Sequence, residues 1–270
     1  MSDYRLYCGD CSKILADLSE QGLVVDAIIA DIPYNINQAN WDNDFNLDNS
    51  LPYLDKILKP GGNIIIFNGW SNICDTKSKL DRYFIIRNWI SYDRIKGRGS
   101  KTNLVSTKEE ILWYSKGESE PYTFHRIMSN IPKKTGGLGA KNGEKNRVLS
   151  NVWSDISPIV PWSKERNGHE TQKPLQLMER CVNIWTNEGD VVLDFTMGSG
   201  TTGEACLNLN RDFIGIELNE NYFKLSKDRL DRRKSELADN LHIVKEKLIW
   251  HIIGDINGKI QLWRYYYIKY

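Results

Sequence analysis

The chain is poor in cysteine. Its 270 residues hold five, Cys8, Cys11, Cys74, Cys181 and Cys206, an odd and scattered set. That excludes a disulfide framework and fits a reducing cytoplasm. Cys8 and Cys11 have the C-x-x-C spacing of a redox motif or half a zinc site. No second close pair exists, however, and His125, His169, His242 and His251 are dispersed. The pair reads as small buried residues beside a strand end, and no metal site is expected. Long hydrophobic runs are also lacking. None approaches the roughly 18 apolar residues of a membrane helix, so no membrane span is expected. The N-terminal Met1-Ser2-Asp3-Tyr4-Arg5 carries no apolar segment resembling a signal peptide. Nor is one sign of charge in excess: 36 Lys+Arg face 35 Asp+Glu, for a net charge of +1. Bulk charge therefore names no partner; only its distribution can. No internal repeat is visible.

What is present is a globular composition. Hydrophobic residues make up 40% of the chain, enough for one large domain or one domain with an insertion. Tyr4–Cys8 alternates as a short strand, residues 12–21 read as a helix with Ile14, Leu15 and Leu18 on one face, and residues 24–30 form an apolar strand. A helix stops at Lys59-Pro60-Gly61-Gly62, and Asn63–Phe67 is the next buried strand. A helix over about 73–83 and strands near 84–93 and 108–115 follow. The alternation predicts a mainly parallel sheet with helices on both faces and an antiparallel edge. From Gly117 to Gly168 periodicity fades, as in a functional or inserted region. It returns at Pro174 with the stripe Met178, Cys181, Val182 and Trp185. A strand at 191–195, a helix from Thr202 to Asn208, a strand Phe213–Glu217 and a charged helix from Glu220 to Ala238, capped by Asn219, complete this part. Asn257-Gly258 between apolar pairs predicts a C-terminal β-hairpin within 241–270.

Two strand ends carry chemistry. The first closes on Asp31-Ile32-Pro33-Tyr34. A carboxylate and a neighbouring main-chain carbonyl can both accept hydrogen bonds from one planar NH2 group, localising its lone pair, while Tyr34 stacks on the attached ring. A strand ending in a plain Asp-x-Pro turn is an equally good reading of the tetrapeptide alone. The second end runs from Val191–Asp194 into Phe195-Thr196-Met197-Gly198-Ser199-Gly200-Thr201-Thr202. Its glycines let a ligand approach the backbone. Glu217 lies 23 residues after Asp194, near the spacing at which an acidic residue accepts ribose hydroxyls. The third glycine or Gly-Lys-Ser/Thr ending of phosphate loops is missing. This argues against a dinucleotide or ATP and for a ligand without phosphates.

In order, Asp31-Ile32-Pro33-Tyr34, then His169-Glu170-Thr171-Gln172-Lys173-Pro174, then Asp194 with Gly198-Ser199-Gly200-Thr201-Thr202, then Ile214-Gly215-Ile216-Glu217 resembles the amino-DNA methyltransferases. The catalytic motif precedes the cofactor motif, as in their beta group. The resemblance covers roughly residues 4–117 and 166–235. It implies a Rossmann-like methyltransferase fold with a seven-stranded mixed sheet, and S-adenosylmethionine as cofactor. It further implies that Asp31 and the Ile32 carbonyl, at the bend made by Pro33, bind the target amine and that Tyr34 stacks on a flipped base. Glu217 is implied to hold the cofactor ribose and Gly198, Ser199, Gly200 and Thr201 to wrap the methionine end, beside the strand-end Asp194. Asp10 is implied near the adenine, with Thr171 and Lys173 contacting the cofactor from the helix entrance. Two departures stand out: Ile32-Pro33 replaces the usual Pro-Pro, and the Phe after Asp194 sits one position early, at Phe195.

Enzymes that modify a base amine must extrude the base, which costs a few kcal/mol that DNA contacts must supply. Residues 82–101 hold Arg82, Arg87, Arg94, Lys96, Arg98 and Lys101 against Asp93 alone. Residues 125–147 hold Arg126, Lys133, Lys134, Lys141, Lys145 and Arg147 against Glu144 alone. Such clusters on irregular backbone suit phosphate contacts, and the second set supplies the candidate DNA-binding residues. The expected layout is a catalytic domain from 1–117 and 166–240, a target-recognition region at 118–165 and the C-terminal extension. An Asp at the head of the catalytic motif favours the N6 amine of adenine in duplex DNA. Cytosine-N4 methylation, or a non-catalytic DNA-binding module retaining the fold, is the alternative. A cognate restriction endonuclease and a homodimer are admitted as partners. The loop Asn35–Asn49, with Trp41, is placed to fold over an extruded base.

Overall fold

The structure, a computed structural model, describes all residues except 1, 35–44, 99–100, 103, 133–145, 161, 164, 167–170 and 255–270. Packing divides the chain into units 1–230 and 231–270. The first is built on an eight-stranded sheet in the order β1-β10-β9-β2-β3-β5-β4-β8. Its strands are β1 (Tyr4–Cys8), β2 (Val25–Asp31), β3 (Leu58–Asn68), β4 (Ile85–Arg98), β5 (Ser106–Ser115), β8 (Val152–Trp153), β9 (Val191–Asp194) and β10 (Asp212–Glu217). The first five in sheet order run parallel, and β5 then pairs antiparallel with both β3 and β4. The expected mainly parallel sheet with an antiparallel edge is thus present. It has eight strands rather than seven, because the two-residue β8 joins the outer edge of β4.

The inner parallel strands β2, β9 and β10 are largely buried on both faces, as their unbroken apolar runs require, whereas the edge strand β1 is not. In β2, residues Ala27 to Ala30 are fully buried. Of these, Ile28 and Ala30 share a core cluster with Leu15 and Leu18 of α1 (Cys11–Glu20) and Leu51, Leu54 and Ile57 of α2 (Leu51–Ile57). α2 stops at Ile57, just before the Lys59–Gly62 stop signal, and the chain there runs straight into β3. The reason is ladder pairing: Gly61 N–H donates to the Lys116 carbonyl at 2.9 Å and Lys116 N–H to the Gly62 carbonyl at 3.0 Å. α3 spans Ile73–Leu80. α4 (Leu175–Trp185) buries Met178, Cys181, Val182 and Trp185, the stripe read from the sequence.

The irregular stretch does not form a unit of its own. Asn63 Nδ2 donates to the carbonyls of Thr123 and Trp185, and the Trp113 ring stacks on Phe124 at 5.3 Å. Arg180 makes two 2.8 Å bonds to the Asp155 carboxylate. Its small strands β6 (Met128–Pro132) and β7 (Asn146–Val148) pair with each other. α5 covers Thr201–Asn208 and α6 covers Glu220–Gly254. Asn219 Oδ1 accepts from the N–H groups of Asn221 and Tyr222, the expected cap. α6 runs past Ala238, so Ile252 and Ile253 are helical rather than the first strand of a hairpin. The Asn257-Gly258 turn lies outside the described residues. Cys8 is exposed rather than buried, and Cys11 is half-buried. No described helix is long and apolar enough to cross a membrane.

Candidate active site

Parallel strands end on one edge of the sheet, and that edge carries the ligand crevice in open α/β folds. Here β9 and β10 lie between β1 and β2, so Gly9-Asp10, Asp31–Tyr34, Asp194–Thr202 and Glu217 converge. They line one cavity of about 480 Å³. The sequence-predicted Asp31, Ile32, Pro33 and Tyr34 all face it. So do Asp10, Thr171, Lys173 and Asp194, and Gly198, Ser199, Thr201 and Glu217. Gly200 does not line it; with φ +74 it forms the left-handed start of α5, where an added Cβ would meet Ser226 at 2.9 Å.

The cofactor half is held by backbone. Glu217 Oε2 accepts from Gly198 N–H at 2.9 Å and Oε1 from Asn219 N–H at 2.8 Å. Burial lifts the Glu217 carboxyl above its ordinary range, and these amide donors oppose the lift. Asp194 is only 2% exposed; it accepts from Thr202 Oγ1 at 2.6 Å and Thr196 N–H at 3.1 Å. Burial pushes it up to about 7. Its carboxylate pins the glycine turn. Asp10 caps α1, and its bond from Ser12 holds its carboxyl below the usual range. Phe195, one position early, is buried against Phe45 with ring centroids 6.4 Å apart, and both line the cavity.

The catalytic half is held by side chains. Asp31 Oδ1 accepts from the Tyr34 hydroxyl at 3.0 Å, and Oδ2 accepts from Lys173 Nζ at 2.6 Å. Lys173 is 9% exposed; its ammonium also lies 3.3 Å from Glu109 Oε2, an ion-pair contact without hydrogen-bond alignment. Arg94 donates to the other oxygen, Glu109 Oε1, at 3.1 Å. Burial raises the Asp31 carboxyl; the Lys173 charge opposes this and Glu109 adds to it. Burial alone would lower the Lys173 ammonium, but the Asp31 and Glu109 carboxylates hold it above its ordinary value. Burial lifts the Tyr34 phenol well up, reinforced by Asp31. Thr196 Oγ1 donates to the Asp31 carbonyl at 3.2 Å, cross-tying the two strand ends.

Several of these roles were not read from the sequence. Lys173, expected at the cofactor, is ion-paired to Asp31. Glu109 and Arg94 were not singled out as site residues; an acid within the apolar β5 run Glu109-Glu110-Ile111-Leu112-Trp113 was the available signal. Arg82 and Arg87 are engaged within the protein, Arg82 with Asp48 and Arg87 with Ser115, Gly117 and the Tyr122 ring, and Arg94 serves Glu109. Among the candidate DNA contacts, Arg126 is exposed and Arg147 half-buried. Lys133, Lys134, Lys141, Lys145, Trp41, His169 and Glu170 lie outside the described residues.

A strand-end carboxylate in an Asp-Ile-Pro-Tyr bend and a glycine turn with a strand-end acid, sharing one crevice of a Rossmann-like sheet, form the layout of the amino-methyltransferase class. Residues 25–228 match the DNA methylase family that modifies N6 and N4 amines, and the chain belongs to that family. It is 35% identical over 243 residues to the type II methyltransferase M.HpaI of Haemophilus parainfluenzae, covering 85% of this chain and 74% of that one. It is 33% identical over 243 residues to the DNA adenine methyltransferase YhdJ of Escherichia coli, covering 83% and 82%. Among solved structures, the M1.HpyAVI–SAM complex aligns with a TM-score of 0.62 at 32% identity, covering 84% of this chain and all of that one. The protein is a DNA methyltransferase that uses S-adenosylmethionine.

Proposed function

We propose that the protein methylates the N6 amine of adenine extruded from duplex DNA. The adenine assignment is supported by the Asp at the head of the catalytic motif and by the similarity to YhdJ, which is named for adenine. The observation that carries the reading is Asp31 at the junction of the two halves of one cavity, its side chain 23% exposed.

The residues fit S-adenosylmethionine. The glycine turn lets a ligand close on the backbone, and Glu217 keeps lone pairs for ribose hydroxyls after accepting two amide bonds. Asp10 stands by the adenine end. Bound there, the cofactor supplies an electrophilic methyl group on a sulfonium. The protein's part is to present a nucleophile. Asp31 and the Ile32 carbonyl accept both amine protons, drawing the nitrogen's lone pair out of the ring. Tyr34 offers its face to the base, and Asn72 bonds the Tyr34 carbonyl and so braces that residue. Phosphate contacts from the 118–165 region, with Arg126 exposed there, supply the energy of extrusion. A cognate endonuclease belongs to the same proposal, in keeping with the type II name of M.HpaI, and a homodimer and residence in the cytoplasm are proposed with it.

Labelled methyl transfer to unmodified duplex DNA, followed by nucleoside analysis, tests the reading. N6-methyladenine is expected; N4-methylcytosine as the sole product overturns the base assignment.

A further inference from the structure

The acceptor that must receive the target amine is already in use. Both oxygens of Asp31 are engaged, one by Tyr34 and the other by the Lys173 ammonium at 2.6 Å. Close by lies an acceptor with no hydrogen bond of its own, Glu109 Oε2, buried and 3.3 Å from the same nitrogen. A buried carboxylate oxygen is best satisfied by an aligned donor, and this one has only the off-line ammonium beside it. Arg94 fixes the far oxygen of Glu109, which keeps the near one in place. A short swing of the lysine would make the missing bond and release Asp31.

We propose that Lys173 is a positioning residue that occupies Asp31 in the free enzyme and passes to Glu109 when the base amine arrives. Glu109 is then its second seat. The proposal rests on the amine-methylating reading above and adds a regulated acceptor to it. The charge balance gives the exchange its character. Asp31 and Glu109 face Lys173 and Arg94, two of each sign, and a neutral amine can replace the ammonium at Asp31 without changing the sum. Losing Lys173 alone leaves Asp31 and Glu109 sharing only Arg94, so Asp31 tends to keep a proton and becomes a weaker acceptor. Losing Glu109 alone leaves the ammonium no seat but Asp31. Losing both restores balance and leaves Asp31 open.

The test is a double-variant cycle on the full chain, with a duplex fragment that the wild type methylates. Glu109→Gln and Lys173→Met should each slow single-turnover methyl transfer by about tenfold or more, with cofactor affinity by calorimetry within about twofold. The Glu109→Gln/Lys173→Met protein should be faster than either single variant. A double variant as slow as the slower single variant overturns the proposal, since the two residues then fail even the compensation expected of a coupled buried pair; as charge balance alone can also give rescue, the structure of the wild type with target duplex and an unreactive cofactor analogue is read beside it. If a variant loses cofactor binding through misfolding, the wild-type structure with target duplex and an unreactive cofactor analogue decides. Lys173 Nζ on Glu109, with the amine on Asp31, is expected; Nζ still on Asp31 beside a bound amine overturns it. Wild-type protein that methylates no base amine refutes the activity reading itself, whereas methylation without rescue refutes this proposal alone.

Discussion

Glu217 and Asp31 lie at two strand ends of one sheet edge, both with carboxyls raised by burial, yet they are stabilised in different ways. Glu217 takes its donors from the amides of Gly198 and Asn219. Asp31 takes them from the Tyr34 hydroxyl and the Lys173 ammonium. A backbone amide cannot leave without unfolding the turn, whereas a lysine can leave by rotating its side chain. The first arrangement suits a cofactor that must find the same acceptor at every turnover. The second suits an acceptor that must change partners. Backbone-held and side-chain-held carboxylates thus sit at the ends of β10 and β2, with β9 between them, and variants at each should behave differently.

The largest contrast should come from Asp31→Ala. Methyl transfer is expected to fall by about 10²–10³ or more, because a preorganised acceptor is lost, while calorimetric cofactor affinity stays near that of the wild type. Unchanged turnover would erase the distinction between the halves. Asp194 comes next, as the buried carboxyl between them. Its folded value of about 7 exceeds the unfolded one near 3.9. Its contribution is therefore complete below about pH 4 and lost as pH rises through about 7. Across that window wild-type stability should decline relative to Asp194→Asn by up to about 4 kcal/mol, read from paired denaturant titrations without cofactor. Parallel profiles would show that the residue ionises normally. Glu217→Ala should do the reverse of Asp31→Ala. Cofactor binding should weaken by roughly 1.5–3 kcal/mol, with a smaller change in rate at saturation; equal losses in both would make the two ends one unit. The smallest effect is expected outside both: Arg126→Ala should weaken binding to all duplex sequences alike and reduce the salt slope by about one. A loss confined to one sequence would make Arg126 a base reader.

Much of this was legible in one dimension because the relevant signals are local. The apolar run of β2, the stripe Met178-Cys181-Val182-Trp185 and the glycine turn after Asp194 each report on neighbours a few residues away. The stop signal at Lys59–Gly62 marked the end of α2 at Ile57, but not that the same residues pair with Lys116 as the start of β3. The hairpin expected near Asn257 failed at Ile252 and Ile253, where the charged helix continues. In the basic cluster at 82–101, Arg87 and Arg94 are half-buried against partners far along the chain, whereas Arg82 stays exposed while pairing with Asp48.

Sequence alone determined which strand ends carry chemistry, in what order, and which residue types stand there, because motif spacing and side-chain period are properties of the chain itself. Only the folded structure decided the company those residues keep. Lys173 lies 142 positions from Asp31, and Glu109 comes from an antiparallel strand that enters the sheet beyond β3. Coulomb forces between them act through a few ångströms of dry interior, a distance set by sheet order and not by separation along the chain.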